Sequence, residues 1–231
     1  MAVETVSRAE WLVARAQLLA KEKAHTQARA ELAAQRRALP RVRLDKHYRL
    51  TGPEGEADFG TLFESASQLI VYHLMFGPDW EQPCIGCAAW ADAFNGTTAQ
   101  FARADARLIA VSRAPYDKLV SAAAERRWEF SWYSALGSDF SYDFYASSHD
   151  ESPLSSRRIG PADQETPAGP TGAEDTRELV EFDRGENHGI SVFSKDPDGL
   201  IYHNYSSYNR GIEAANGAMG YFDLLPKGRA W

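Results

Sequence analysis

The strongest constraint on this chain is a nearly continuous apolar run of strand length, residues 68–76. It leads through Pro83-Cys84-Ile85-Gly86-Cys87 into a helix-like stretch. A buried strand that feeds a C-x-x-C at a helix start fixes three things together: a central strand of a sheet, the direction in which the chain leaves it, and two thiols about one helical turn apart. The chain holds 2 cysteines, so any disulfide within it joins this pair.

The flanking stretches extend the pattern. Residues 88–103 read as one helix after the dithiol, with Trp90, Phe94 and Phe101 toward a core and a weak point at Asn95-Gly96-Thr97-Thr98. Residues 107–112 read as a second short buried strand, and 115–127 as a helix with proline in its first turn. Strand, dithiol helix, strand, helix is the βαβα order of an α/β sandwich with parallel strands. Residues 189–194 and 200–205 alternate around Asp196-Pro197-Asp198-Gly199, which predicts an antiparallel hairpin, and 212–225 a closing helix. Upstream, 41–50 reads as a strand and 51–55 as a turn.

The first forty residues differ. Ser7-x-x-Glu10 is a capping box opening a helical run over 7–38. Trp11, Leu18, Leu32 and Leu39 recur at multiples of seven beside Leu12 and Leu19. The stripe is interrupted by His25, read as packing, and thinned by alanines, which suits a long helix lying across another surface. The expected organisation is an N-terminal helical extension, 1–40, and one domain, 41–231. Within that domain 146–180, with Pro153, Pro161, Pro167 and Pro170 among Gly, Ser and acidic residues, reads as a flexible insertion. It is either an irregular loop or a cover over the thiols.

Composition narrows the partners. A hydrophobic content of 44% supplies a core, and the net charge of -7 divides into +6 over residues 1–50 and -13 over the rest. A basic arm on an acidic body could meet nucleic acid, but no nucleic-acid-binding motif accompanies it. The expectation is no nucleic-acid partner, with the arm packed on its own body or joining a homodimer through the N-terminal helix. No apolar run approaches the roughly 18 residues of a membrane span, and the first ten residues carry no apolar signal core. No membrane partner and a cytoplasmic location are expected.

The dithiol carries the chemistry. At a helix start, unpaired N–H groups and the dipole favour a thiolate on Cys84, with a pKa below the ~8.5 of a free thiol. Cys87 can then attack a mixed disulfide at Cys84. Gly86 admits a tight backbone approach, and Pro83 presets the entry to the turn. Two other readings stand beside this one. The pair could be half of a zinc site, although His25, His47, His73, His149, His188 and His203 show no second paired spacing. It could also be two inert buried cysteines.

Other polar residues are candidates in support. Of Tyr72 and His73, one is expected to face the thiols unless both belong to the core. Arg113 closes the second strand at the edge where α/β sites form, either to hold an anionic substrate or to solvate a loop. Ser138-Asp139-Phe140 and Asp143 could assist proton transfer or cap turns. No Ser-His-Asp order, phosphate-binding glycine loop or nucleotide fingerprint is present, so no cofactor and no metal are assigned.

These stretches are together distinctive. Glu10-Trp11 to Glu22-Lys23, Arg36-Arg37-Ala38-Leu39-Pro40, Tyr72-His73-Leu74-Met75-Phe76, the dithiol with Trp90-Ala91-Asp92, Ala110-Val111-Ser112-Arg113-Ala114-Pro115, Gly137-Ser138-Asp139-Phe140, Gly189-Ile190-Ser191-Val192-Phe193 and Asp223-Leu224-Leu225-Pro226-Lys227-Gly228-Arg229 resemble the thioredoxin-like family labelled domain of unknown function 899. The resemblance implies a thioredoxin-like three-layer α/β/α sandwich with a mixed sheet and an N-terminal helical extension. Thioredoxins carry C-G-P-C, a tryptophan adjacent to the first cysteine, and a cis-proline before the hairpin. Here the motif is C-I-G-C, Trp80 stands four residues before Cys84, and Asn187-His188-Gly189-Ile190 occupies the proline segment. The backbone of Gly189 and Ile190 is then the candidate binder of an extended substrate.

The expected function is a thiol–disulfide oxidoreductase acting on a disulfide-containing protein or a small thiol or peroxide, with Cys84 as nucleophile and Cys87 as resolving thiol. A thiol peroxidase-like reaction, in which Cys84 becomes a sulfenic acid that condenses with Cys87, is the first alternative. A non-catalytic thioredoxin-fold binding or assembly module is the second.

Overall fold

Ser7 opens the long first helix, α1 (Arg8–Arg37). Its hydroxyl accepts from the Glu10 N–H at 3.3 Å, and the Glu10 carboxylate accepts from the Ser7 N–H at 2.9 Å. Both halves of the capping box are therefore made, and two of the four orphan donors of the helix start are satisfied. Arg36 and Arg37 in the last turn complement the carbonyl end of the dipole. The computed structural model describes residues 4–159 and 178–227. It divides the chain into Met1–Pro40 and Arg41–Trp231.

The second unit runs β1 (Val42–Arg43), β2 (Arg49–Gly52), β3 (Gly55–Asp58), β4 (Gln68–His73), α2 (Ile85–Ala91), α3 (Thr98–Arg103), β5 (Ala106–Ser112), α4 (Tyr116–Arg126), β6 (Ser131–Ser134), α5 (Phe140–Asp143), β7 (Ser155–Ile159), β8 (Glu178–Phe182), β9 (Gly189–Lys195), β10 (Ile201–Tyr208) and α6 (Gly217–Phe222). Eight strands form one sheet in the order β1-β10-β9-β4-β5-β6-β2-β3. β4 pairs parallel with β5 and antiparallel with β9, and β9 pairs antiparallel with β10. The order β5-β4-β9-β10, with the dithiol after β4, is the thioredoxin core. β6, parallel to β5, and the β2–β3 hairpin widen it.

Alternation along the strands sorts the side chains. Tyr72, Leu108, Ala110 and Trp132 face one side, where α2 and α4 supply Cys87, Ala88, Trp90, Leu119 and Ala122. Right-handed crossovers from β4 to β5 and from β5 to β6 place their helices on the same side of the sheet. Leu69, Val71, Ile109, Val111, Tyr133 and Phe193 face the other side. That side is covered by a 3₁₀ turn, Phe59–Phe63, and by the single-turn α5. Its packing is aromatic: the Phe140 ring lies 4.8 Å from Phe144, 4.9 Å from Phe59 and 5.3 Å from Tyr48.

Several expected boundaries shift. The 41–50 strand is two short strands, β1 and β2, that join opposite ends of the sheet. The 68–76 run stays buried to Phe76, but its strand ends at His73. The helix expected over 88–103 is α2, a 3₁₀ turn and α3, broken where Gly96 takes a positive φ of 77°. A similar break divides 212–225 into a 3₁₀ turn, Asn209–Ala215, and α6. Of the 146–180 insertion, residues 160–177 lie outside the described residues. Residues 155–159 and 178–180 are strand and not loop: β7 and β8 pair antiparallel, with Val180 and Phe182 buried against Tyr208. β6 is an element that the sequence pattern did not announce.

Candidate dithiol site

Cys84 is the N-cap of α2, and its N–H donates to the Met75 carbonyl at 2.9 Å. Buried Pro83 precedes it and presets the turn. The two thiols are not joined and have different surroundings. Cys84 is half-buried, while Cys87, inside the first turn of α2, is 4% exposed. The Cys84 pKa is lowered to about 6, first by a hydrogen bond from the Cys87 thiol. The N–H groups of Cys87 and Gly86 act in the same sense, while burial and the nearby Asp183 carboxylate oppose it. The Cys87 thiol is pushed well up by its bond to Cys84, by burial and by repulsion from the Cys84 charge. One sulfur is thus prepared to be an anion and the other to remain a thiol.

Tyr72 and His73 separate as adjacent residues of a strand must. Tyr72 faces the thiols: its hydroxyl donates to the Cys87 carbonyl at 3.3 Å, and its ring is held edge-on by Trp90 and Phe94. His73 turns to the far side of the sheet, where its Nε2 meets the Ser191 hydroxyl at 2.8 Å.

The thiols open into a cavity of about 440 Å³, lined by Tyr72, Gly86, Trp90, Glu181, His188, Asn209, Arg210, Ile212 and Glu213. That volume lies within the range of small-molecule sites. Arg210 pairs with Glu213 at 3.3 Å. Burial lowers the pKa of His188 and so favours its neutral form.

The remaining expected site residues distribute as follows. Trp80 is buried beside the dithiol loop. Its carbonyl accepts from the Lys118 ammonium at 2.9 Å, and the Arg184 guanidinium sits 4.2 Å over its ring. Gly86 is not required by space, since a Cβ there would touch only the Cys84 sulfur at an ordinary 3.9 Å. Gly189 is required: a Cβ there would lie 2.9 Å from the Ser207 carbonyl oxygen and against the Tyr208 ring. Ile190 pairs with Tyr72 in register and packs on the dithiol-side core.

Arg113 has its donors engaged elsewhere. It is buried, bonds the Glu186 carboxylate at 2.6 Å through Nε and the Tyr142 hydroxyl through Nη1, and so anchors the loop that carries Asp183. Asp139 and Asp143 hold the Lys46 ammonium at 2.8 and 2.6 Å, and Tyr48 donates to Asp143 at 2.8 Å. Tyr48 and Phe140 belong to the core on the opposite side of the sheet from the thiols.

Sequence reasoning missed Asp183, Glu181 and the 209–213 wall. The hairpin contains the signal for that wall. Gly189 pairs with Tyr208, and the Asn209 N–H donates to the His188 carbonyl at 3.1 Å. Whatever follows 208 must therefore stand beside whatever precedes 189. Among the described residues, no three His, Cys, Asp or Glu side chains converge to hold a metal ion, and no helix is long and apolar enough to cross a membrane.

Residues 1–231 match the family described as a bacterial protein of unknown function (DUF899), and the chain belongs to that family. No curated protein matches it. Among solved structures it is similar to a cysteine mutant of peroxiredoxin Q from Xanthomonas campestris, at 16% identity and a TM-score of 0.41 over 78% of this chain and 90% of that one. It is also similar to a cysteine mutant of PrxQ from Xylella fastidiosa, at 12% identity and a TM-score of 0.44 over 78% and 89%. A third is a protein from Bacteroides vulgatus described as a putative thiol-disulfide oxidoreductase, at 14% identity and a TM-score of 0.33 over 43% and 67%.

Proposed function

We propose that this protein is a thiol–disulfide oxidoreductase with Cys84 as nucleophile and Cys87 as resolving thiol. The observation that carries the reading is the asymmetry of the pair. Cys84 meets the cavity with its pKa lowered to about 6, while Cys87 lies buried beneath it with its pKa well raised. Near neutral pH the Cys84 thiolate attacks a substrate disulfide, an S–S bond to substrate forms, and the first substrate thiolate leaves. Cys87 then attacks the Cys84 sulfur and the second substrate thiol leaves. The enzyme dithiol becomes a disulfide as the substrate disulfide is reduced by two electrons.

Disulfide exchange is favoured over peroxide reduction by the charges at the nucleophile. Breaking an O–O bond develops negative charge on the departing oxygen, which a nearby cation would stabilise. Among the described residues the charged side chain that shifts the Cys84 pKa is Asp183, whose effect is opposite, and the nearby cations are committed: Arg184 to Asp183, Arg113 to Glu186 and Arg210 to Glu213.

The rate of iodoacetamide alkylation against pH tests the proposal. Cys84 should reach half its maximal rate near pH 6. Cys84→Ser should abolish the fast reaction and all turnover of disulfides. Cys87→Ala, which removes the donor, should shift the midpoint upward, because the hydrogen bond from the Cys87 thiol is the largest cause of the low pKa. A Cys84 midpoint near the ~8.5 of a free thiol, with no mixed disulfide formed, would sink the reading and favour a non-catalytic binding module.

A further inference from the structure

Resolution is the step that the reading above leaves unexplained. Cys87 is buried and its pKa is pushed well up by burial and by its bond to Cys84, yet it must become a nucleophile. Once Cys84 is part of a mixed disulfide it no longer carries the charge that held the Cys87 proton. The charge that develops on Cys87 must then be met by donors inside the fold. Two are in place. The Met75 N–H, just past the end of β4, and the Tyr72 hydroxyl both act to lower the Cys87 pKa. That hydroxyl lies 3.3 Å from the Cys87 carbonyl, and Tyr72 lines the same cavity as Cys87.

Tyr72 is built to stay there. It is fully buried, and its ring is clamped by Trp90 at 5.3 Å and 89° and by Phe94 at 5.1 Å and 83°. The 3.3 Å bond to the carbonyl is long. Turning the hydroxyl hydrogen from the carbonyl oxygen toward the sulfur is a rotation about one C–O bond.

We propose that Tyr72 is a catalytic residue of the resolving step: its hydroxyl, with the Met75 N–H, receives the charge that develops on the Cys87 sulfur as it attacks the Cys84 mixed disulfide. This rests on the oxidoreductase reading and deepens it. The new Cys84–Cys87 bond forms as the bond from Cys84 to substrate breaks. The Cys87 proton is lost to solvent as Cys87 becomes the attacking thiolate, the substrate thiolate departs, and Tyr72 keeps its own proton. Among the described residues the other charged or titratable groups around the thiols include Asp183 beside Cys84 with its partner Arg184, and Glu181, His188, Arg210 and Glu213 in the cavity wall.

The reagent 5,5′-dithiobis(2-nitrobenzoate) separates the two steps, because each releases one equivalent of coloured thiolate. The full-length protein should release the first equivalent on attack by Cys84 and the second on attack by Cys87, and Cys87→Ser only the first. Tyr72→Phe keeps the ring and removes the hydroxyl. It should leave the first phase unchanged, slow the second about tenfold or more, as loss of a hydrogen bond to a charged group does, and shift the pH midpoint of that phase upward. An unaltered second phase would overturn the proposal. So would an equal slowing of both phases, which would make Tyr72 a packing residue only. Absence of any release from the unmodified protein would instead remove the oxidoreductase reading, and this inference with it.

Discussion

The two sides of β4 differ more than their shared strand suggests. Tyr72 and His73 are consecutive, both fully buried and both polar. Tyr72 borders two thiols, a 440 Å³ cavity and α2, the helix that begins at Cys84. His73 borders a sealed aromatic layer and a chain of hydrogen bonds to Ser191, Ser206 and His203 at 2.7–2.8 Å. Burial moves the pKa of each toward its neutral form, Tyr72 well upward and His73 down to about 3. Desolvation is therefore not what marks a reactive side. The difference lies in what each residue touches: a sulfur that changes charge in one case, and groups that keep theirs in the other.

Three changes test whether the sides are independent. The largest effect belongs to the aromatic side. Phe140→Ala removes a ring that contacts Tyr48, Phe59 and Phe144, and should cost about 3–5 kcal/mol in urea unfolding. If the sides are separate, the midpoint of Cys84 alkylation stays near pH 6; if it moves, the comparison breaks.

Next is the acid dependence of stability. The folded pKa of His73 lies below the ordinary His value. Its contribution is complete above about pH 6.5 and is lost as pH falls toward 3, because the unfolded chain takes up the proton first. His73→Phe should flatten the loss between pH 6.5 and 4 by up to about 1.4 kcal/mol per pH unit, read from urea midpoints. An unchanged slope would place the acid sensitivity elsewhere.

The smallest effect is on the reactive side. Gly86→Ala adds a methyl in ordinary contact at 3.9 Å, and should be neutral or stabilise by less than about 1 kcal/mol with alkylation kept. A large loss of Cys84 reactivity would show that the thiolate uses space which the glycine leaves open.

The contrast also explains what was legible in the sequence. The dithiol side is built from local order: a strand, a C-x-x-C, a helix and the next strand lie in one continuous stretch, so β4, α2 and β5 could be read from periodicity and punctuation. The alternation of 189–194 and 200–205 gave the hairpin in the same way. The far side could not be read so. Phe59, Phe140 and Phe193 come from three distant stretches, and no period links them. The site shows the same division. Cys84, Cys87 and Tyr72 announce themselves by spacing and strand position. Arg113 looked free at a strand end because its partner, Glu186, stands 73 positions away. The turn at Gly96 shows a local break overriding a helical pattern that had enough apolar residues to continue.

The neighbours of β4 have a consequence for how the molecule is made. Its parallel partner β5 follows about thirty residues later, whereas its antiparallel partner β9 follows well over a hundred later, with Gln68 opposite Ser194. During synthesis the central strand can acquire one neighbour early and must wait for the other. Until β9 arrives, β4 is an unpaired edge of the kind that templates aggregation. Pairings so distant in sequence also slow folding. The nucleophile emerges from the ribosome before the strands that wall its cavity, so the thiols face solvent first as part of an unfinished sheet.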